Sequence, residues 1–310
     1  MCTNFNRIPA VSEIKNRRIL FAALNWGSGH VSRSIPLLQT LEQQNNSIIV
    51  ACNLHQEHIF RCYLDKAKYI LLDDYPFVFS TNGFSIKDLI FGFPQLFTQL
   101  LKEQRKVAEL VNIEAINLVL SDHRYGFIHA NVESIFITHQ CMLPIPWYGL
   151  PFQGVHRFLM HRFQACWIAD CEKLRLAGKL SARPNIPFKY LGILSRLQKS
   201  DREKKWKVLL LNGPKEFHPL LIASFKTELD KLDFVIGSHP SLPNSIPQIT
   251  AWEEADKILA SAKTVMSFCG YSTLMDMETL QCEWLSIPTP GQFEQQYLHQ
   301  QKTLREGGFR

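Results

Sequence analysis

Eight cysteines occur in the 310 residues, yet none form a Cys-x-x-Cys pair and their spacing has no rhythm. That excludes a ribbon-type zinc site, a thioredoxin-like redox pair and a small disulfide scaffold. With no signal peptide in view, the thiols read as reduced and cytosolic. No apolar run approaches the roughly 18 residues of a membrane-spanning helix. No Gly-Lys-Ser/Thr follows a glycine turn, so no Walker loop is present, and Gly-x-Gly-x-x-Gly is missing too. The net charge is +6, but the basic residues are spread out and do not alternate with aromatics along a stripe. Nucleic acid is therefore not the expected partner. His55 and His58 could share a helix face, but without a third ligand they make no metal site. No repeat or low-complexity tract appears.

What remains is an ordinary globular composition, 46% hydrophobic and 20% charged, long enough for two α/β domains. The most informative stretch is Val265–Leu298. A buried-strand pattern, Thr264–Phe268, breaks at Gly270. Ser272 and Thr273 can cap a helix running to Leu280. A strand over Glu283–Ile287 ends at Pro288 and Pro290, and a helix carrying Glu294, Gln295 and Gln296 comes next. Strand, turn, helix, strand, turn, helix is a parallel α/β unit, whose ligands sit at the carboxyl ends of the strands. Gly270 lets a phosphate approach the backbone, and the helix behind it offers free N–H groups and a positive dipole end. Asp276, one turn on, can accept from two ribose hydroxyls. Glu294, Gln295 and Gln296 suit sugar hydroxyls.

Near the start, the strand Ile19–Leu24 leads into NWGSGHVSRSIPLL, with Gly27, Gly29, His30 and Arg33. Strand, glycine turn and helix make a second ligand-facing loop. At a helix N-terminus His30 tends to stay neutral, so it can take a proton from a hydroxyl, contact a donor, or simply cap. Arg33 can meet a phosphate or pair with a carboxylate. The strands Ile116–Leu120 and Ser134–Ile137 end in SDHRYG and THQ, which brings Asp122 and His139 to neighbouring strand ends. His139 rivals His30 as a base, and Asp122 can orient either. Phe77–Leu101 is rich in aromatics and precedes Lys102, Arg105 and Lys106; it reads as a core helix with a loop or as an apolar surface for lipid. A helix is expected over Glu216–Leu229, behind the turn Asn212-Gly213-Pro214. The polar run Gly192–Lys207 is the expected linker, which gives domains 1–197 and 198–310.

GYSTLMDMETLQCEWLSIPTPGQFEQQYL resembles the nucleotide-sugar motif of GT-B glycosyltransferases, most closely the MurG-like class. The resemblance aligns Gly270, Tyr271, Ser272 and Thr273 with the diphosphate turn, Asp276 with the ribose acid, and Gln295 and Gln296 with the paired glutamines on the sugar. Gly27, Gly29 and Arg33 fall on the first glycine loop, and Asn212 and Gly213 on another donor-facing loop. Ile249 and Trp252 fall beside the nucleotide base. Phe268-Cys269 departs from the family's usual Arg-Ser. Relatives of this class also continue past a position like Arg310 with helices that cross back to the first domain.

The resemblance implies two Rossmann-like domains facing a cleft, the C-terminal one short. It implies transfer of a sugar from a nucleotide diphosphate sugar, UDP-linked by preference, to a hydroxyl acceptor, with inversion. Lipid linkage of the acceptor and contact with the cytoplasmic membrane face are part of that expectation. No cofactor beyond the sugar nucleotide is expected. The absence of an Asp-x-Asp triplet agrees with transfer without metal. Two rivals stand beside this reading: a sugar-nucleotide epimerase of the same fold, and a binding protein without catalysis.

Overall fold

A computed structural model describes residues 8–75, 86–145, 149–199 and 203–307, with backbone alone for 86–93, 306 and 307. The chain divides into two compact units between Leu194 and Ser195, and the short Gly27–Gly29 turn groups with the second. The sequence reading draws this line after residue 197; Ser195, Arg196 and Leu197 group instead with the second unit.

The first unit is built on seven parallel strands: β1 (Arg18–Ala23), β2 (Ser47–Cys52), β3 (Lys68–Leu71), β4 (Leu118–Asp122), β5 (Glu133–Thr138), β6 (Ala165–Ile168) and β7 (Phe188–Tyr190). Their order is β3-β2-β1-β4-β5-β6-β7. Four helices are described: α1 (Gly29–Gln43), α2 (Leu54–Arg61), α3 (Ile86–Ile113) and α4 (Leu150–Met160). β4 is buried along its whole length, as a parallel strand covered on both faces should be. Leu20, Ile49 and Val119 of the sheet pack against Val107 and Leu110 of α3. Each such side chain contributes about 1.5–3 kcal/mol on full burial.

The second unit holds β8 (Trp206–Leu210), β9 (Phe234–Ile236), β10 (Gln248–Ile249), β11 (Ala262–Phe268) and β12 (Glu283–Ile287), in the order β10-β9-β8-β11-β12. All its ladders are parallel. Its helices are α5 (His218–Ser224), α6 (Trp252–Ala260), α7 (Tyr271–Leu280) and α8 (Phe293–Gly307). Leu209, Val235, Met266 and Phe268 form its core with Leu221.

Both sheets reverse direction beside their first strand, between β1 and β4 in one and between β8 and β11 in the other. Such switch points open a crevice at the carboxyl ends of the strands. His30 comes after β1 and Asp122 ends β4. Asn212 comes after β8 and Gly270 after β11. The strand order therefore delivers the candidate residues in two groups.

The strand expected over Ile116–Leu120 lies two residues later, at Leu118–Asp122, and three further stretches differ from the sequence reading. The helix expected over Glu216–Leu229 is three pieces: 3-10 turns at Lys215–Phe217 and Lys226–Lys231 flank α5. Pro219 fits only a first helical turn, and Phe225, at φ −113° and ψ 24°, ends the run. The expected linker is shorter, because β8 already begins at Trp206. α3 continues through Gly92 and Pro94 without a break. Phe77, Phe79 and Phe84 lie outside the described residues, as do the side chains of Phe91 and Phe93. Among the described residues no helix is long and apolar enough to cross a membrane.

Candidate functional site

In the first unit four residues meet at the β1–β4 switch point. His30 Nδ1 lies 3.1 Å from Asp122 Oδ1. Arg33 Nε donates to Asp122 Oδ2 at 2.9 Å, and its Nη2 reaches Asp122 Oδ1. Arg33 Nη1 lies 2.6 Å from His139 Nδ1. Ser34 Oγ, one position on, is 3.3 Å from Asp122 Oδ2. Asp122, Arg33 and His139 are buried, whereas the His30 side chain keeps 15% of its surface exposed. Burial alone would push the Asp122 carboxyl up, but Arg33 and His30 hold it well below the usual carboxylate range. Burial, reinforced by the Arg33 charge, lowers the His30 pKa. The pair at neutral pH is thus a carboxylate beside an uncharged imidazole, a group able to accept a proton.

The local chain makes this arrangement. Gly27 takes φ +80° and turns the chain out of β1. α1 starts at Gly29, so His30 and Arg33 are one turn apart on one helical face. Asp122-His123-Arg124 does not act as a block. His123 adopts φ +62°, which sends the next side chain away from the site. Arg124 forms a buried pair with Glu103 and donates to the Asp73 carbonyl at 2.8 Å. His123 accepts at Nδ1 from, or donates to, Thr138 Oγ1 at 3.0 Å, and its ring lies 5.8 Å from that of His30. Burial also lowers its pKa strongly. Tyr125 and His156 extend this layer, with Tyr125 Oη 2.7 Å from His156 Nδ1. His123 and Tyr125 lie within the SDHRYG stretch, but nothing in that stretch tells which partner each takes, and His156 carries no motif.

In the second unit the Asn212 side chain ties two loops together. Its Nδ2 donates to the Phe268 carbonyl at 2.9 Å and to Thr273 Oγ1 at 3.0 Å, and its Oδ1 accepts from Phe268 N at 2.9 Å. Gly213, at φ +77°, has the Phe268 ring 3.3 Å from where a Cβ would stand. Gly270, not Ser272 or Thr273, is the N-cap of α7, and no side chain caps that end. Its φ is −77°, so the glycine is not required by backbone strain. A Cβ there would make only ordinary contacts, 3.6 Å from Thr273 Oγ1 and 3.9 Å from Asn212 Nδ2. The uncapped first turn leaves amides for an anion. Tyr271, the first residue of that turn, is buried.

Asp276 is buried and already engaged. Ser195 Oγ donates to its Oδ1 at 2.5 Å, and Arg196 Nη1 stands 3.6 Å from its Oδ2. Burial raises its pKa to about 6, against the pull of Arg196 and Ser195. Arg196 also pairs with Asp256 at 2.8 Å and lies over the Trp252 ring, 4.9 Å from its centroid. Ser195 and Arg196 were hidden in a run that reads as linker. Gln295, in the first turn of α8, accepts at Oε1 from the Thr289 amide and hydroxyl, both at 2.9 Å. This fixes the side-chain amide and leaves its NH2 as the donor. Glu294 and Gln296 flank it in the same turn. Thr289, between two prolines, gave no sequence signal. Among the described residues no three or more His, Cys, Asp or Glu side chains gather as a metal site would require.

No family model matches the chain, and no curated protein matches its sequence. Solved structures do. Phytolacca americana UGT2, complexed with UDP-2-fluoro-glucose and pterostilbene, is 12% identical with a TM-score of 0.62 over 94% of this chain and 84% of that one. The Streptomyces sp. SF2575 glycosyltransferase SsfS6, complexed with thymidine diphosphate, is 13% identical with a TM-score of 0.60 over 92% and 86%. Arabidopsis thaliana UGT89C1, complexed with quercetin, is 14% identical with a TM-score of 0.57 over 94% and 84%. At such identities the likeness carries the fold, two Rossmann-like α/β domains of GT-B type. It does not single out the MurG-like class.

Proposed function

We propose that the chain is a glycosyltransferase that moves a sugar from a nucleotide diphosphate sugar, UDP-linked by preference, to a hydroxyl acceptor. The observation that carries this reading is the His30–Asp122 pair at the switch point of the first sheet, 3.1 Å apart, with the imidazole partly exposed. With Nδ1 donating to Asp122, Nε2 presents a lone pair to an acceptor hydroxyl. The hydroxyl oxygen attacks the anomeric carbon as His30 takes its proton, and the bond to the diphosphate breaks with its electron pair. A single displacement of this kind inverts the anomeric centre. The first turn of α7 and the Gly213 turn are the proposed partners of the leaving diphosphate, and the step is proposed without metal. Asp276 is the proposed ribose partner, once Ser195 yields its place, and Gln295 with Glu294 and Gln296 the proposed sugar contacts.

His30 is the proposed base rather than His139. His139 is buried and its Nδ1 already accepts from the Arg33 guanidinium at 2.6 Å, whereas His30 is partly exposed. The expected outcome is a loss of roughly 10²–10⁴-fold in kcat for His30→Ala, the usual worth of a general base, with donor affinity nearly unchanged. His139→Ala should cost less in kcat. If His139→Ala alone abolishes turnover, the roles are reversed. If donor binds and neither variant slows any transfer, the protein is a binder or an epimerase, and donor interconversion without acceptor separates those two.

A lipid-linked acceptor, or contact with an anionic membrane surface, is supported by one feature of the first unit. Phe97 and Leu101 of α3 and Val155 and Phe158 of α4 are exposed. Leu159 of α4 and Leu96 of α3 both pack against the cluster of Leu24, Tyr75 and Leu100, so the two helices share one core. Lys102, Arg105, Arg157 and Arg162 are exposed on the same pair of helices and the turn after α4.

A further inference from the structure

Arg33 touches every other member of the His30–Asp122–His139 group. Its Nε and Nη2 engage the two oxygens of Asp122. The same Nη2 lies 2.8 Å from His30 Nδ1, and Nη1 lies 2.6 Å from His139 Nδ1. A guanidinium has five N–H donors, no acceptor, and keeps its charge at any working pH. An imidazole nitrogen at hydrogen-bonding distance from it must therefore offer a lone pair. For His139 this leaves one neutral form: Nδ1 accepts and the proton sits on Nε2. Adding a proton would set N–H against N–H beside a fixed cation.

His30 Nδ1 faces two opposite demands. Asp122 Oδ1, at 3.1 Å, asks for an N–H; Arg33 Nη2, at 2.8 Å, asks for a lone pair. The nitrogen can satisfy one at a time. If it donates to Asp122, Nε2 is an acceptor. If it accepts from Arg33, Nε2 carries the proton and is only a donor. An imidazolium must break the Arg33 contact altogether. Among the described residues, Ser34 Oγ also stands 3.3 Å from Asp122 and the buried His123 ring 5.8 Å from that of His30. The cluster's fixed charges are thus Arg33 and Asp122.

We infer that Arg33 is the positioning residue that sets the proton on both histidines. It locks His139 as a neutral hydrogen-bond donor through Nε2. It holds His30 neutral and divides it between a base form and a donor form. The consequence for catalysis rests on the transferase reading: Arg33 excludes His139 as a base and keeps His30 ready to accept a proton. The assignment of protons itself does not depend on that reading.

The test is a long-range 1H–15N correlation experiment on ligand-free protein labelled at histidine, with His30→Gln and His139→Gln used for assignment. At neutral pH, His139 should show a protonated Nε2 and a bare Nδ1. In Arg33→Gln the His30 titration midpoint should move up by about one pH unit or more, as expected when a neighbouring cation is removed. Arg33→Lys, which keeps a counter-charge for Asp122 should the glutamine variant not fold, should release His139 to populate both tautomers. A wild-type His139 that carries its proton on Nδ1 overturns the inference. So does a folded Arg33→Gln protein with His30 unmoved. Neither donor nor acceptor is present, so the result does not depend on whether transfer is ever observed.

Discussion

Asp122 and Asp276 are both buried carboxylates, yet their surroundings act on stability in opposite directions. Asp122 has its pKa held down by Arg33 and His30 against the push of burial. It contributes stability above the unfolded carboxylate value of about 3.9, and that contribution is lost as pH falls below it. Asp276 has its pKa raised by burial to about 6. Its folded state prefers the protonated acid, so stability is highest at low pH and falls as pH rises from about 3.9 to about 6. At neutral pH the ionised Asp276 costs on the order of 2–3 kcal/mol. Asp276→Asn should therefore gain in melting temperature relative to wild type as pH is raised through that window. Asp122→Asn should be worst at neutral pH, where it leaves Arg33 buried without its counterion at a cost of about 3–5 kcal/mol, and should recover relative to wild type as pH falls. Melting curves at several pH values check both; a difference for Asp276→Asn that stays flat with pH would contradict its assignment as a buried, costly charge. The acidic residue was legible from its place one turn past Gly270. Its engagement by Ser195 and Arg196 was not, because the partners lie about eighty residues upstream in a run that reads as polar linker.

At the level of elements, turn chemistry marked where strands end better than where helices run. β2 and β12 have the bounds the alternation and flanking turns indicate. α5 does not, since Pro219 and the turn at Phe225 outweigh the helical pattern of the surrounding residues. α3 is the converse: Pro94 is carried inside the helix, and Thr98 Oγ1 donates to its carbonyl at 2.9 Å. Of the aromatic segment that reads as either core or lipid surface, Phe97 and Leu101 are on the outside. Which helix shares their core could not be read from the sequence, because Leu96 of α3 and Leu159 of α4 reach the same cluster across a gap of some sixty residues. If this pair of faces meets an anionic bilayer, the protein should sediment with vesicles containing phosphatidylserine at low salt and less so at high salt, as screening weakens the Lys102, Arg105, Arg157 and Arg162 contribution. Phe97→Ser with Phe158→Ser should reduce binding at both salt concentrations. Equal sedimentation with neutral and anionic vesicles, or none with either, would remove the membrane from the proposal.

Across the whole molecule the sequence carried the architecture because parallel α/β units announce themselves in order: apolar strand, glycine turn, helix. It carried the candidate residues because those turns are also where a sheet of this topology leaves a crevice. It could not say which turns share a switch point, since that depends on the strand order β3-β2-β1-β4-β5-β6-β7 in one sheet and β10-β9-β8-β11-β12 in the other. The strand order groups Asn212, Gly213, Gly270 and Asp276 on one unit and His30, Arg33, Asp122 and His139 on the other. The proposed function then divides the labour: the nucleotide should be bound by the second unit, with the first serving the acceptor. UDP or thymidine diphosphate at about a hundredfold excess over its Kd should stabilise the native state by about 2.7 kcal/mol. Hydrogen exchange should then show the added protection at amides 212–213, 270–276, 289 and 291–296, around the Gly213 turn, the first turn of α7 and the fixed Gln295. Amides of β1, β4 and the start of α1 should change little with nucleotide alone. Protection confined to that first group of strands, with 270–276 unaffected, would place the nucleotide on the wrong unit and overturn both the α7 phosphate site and the role given to His30.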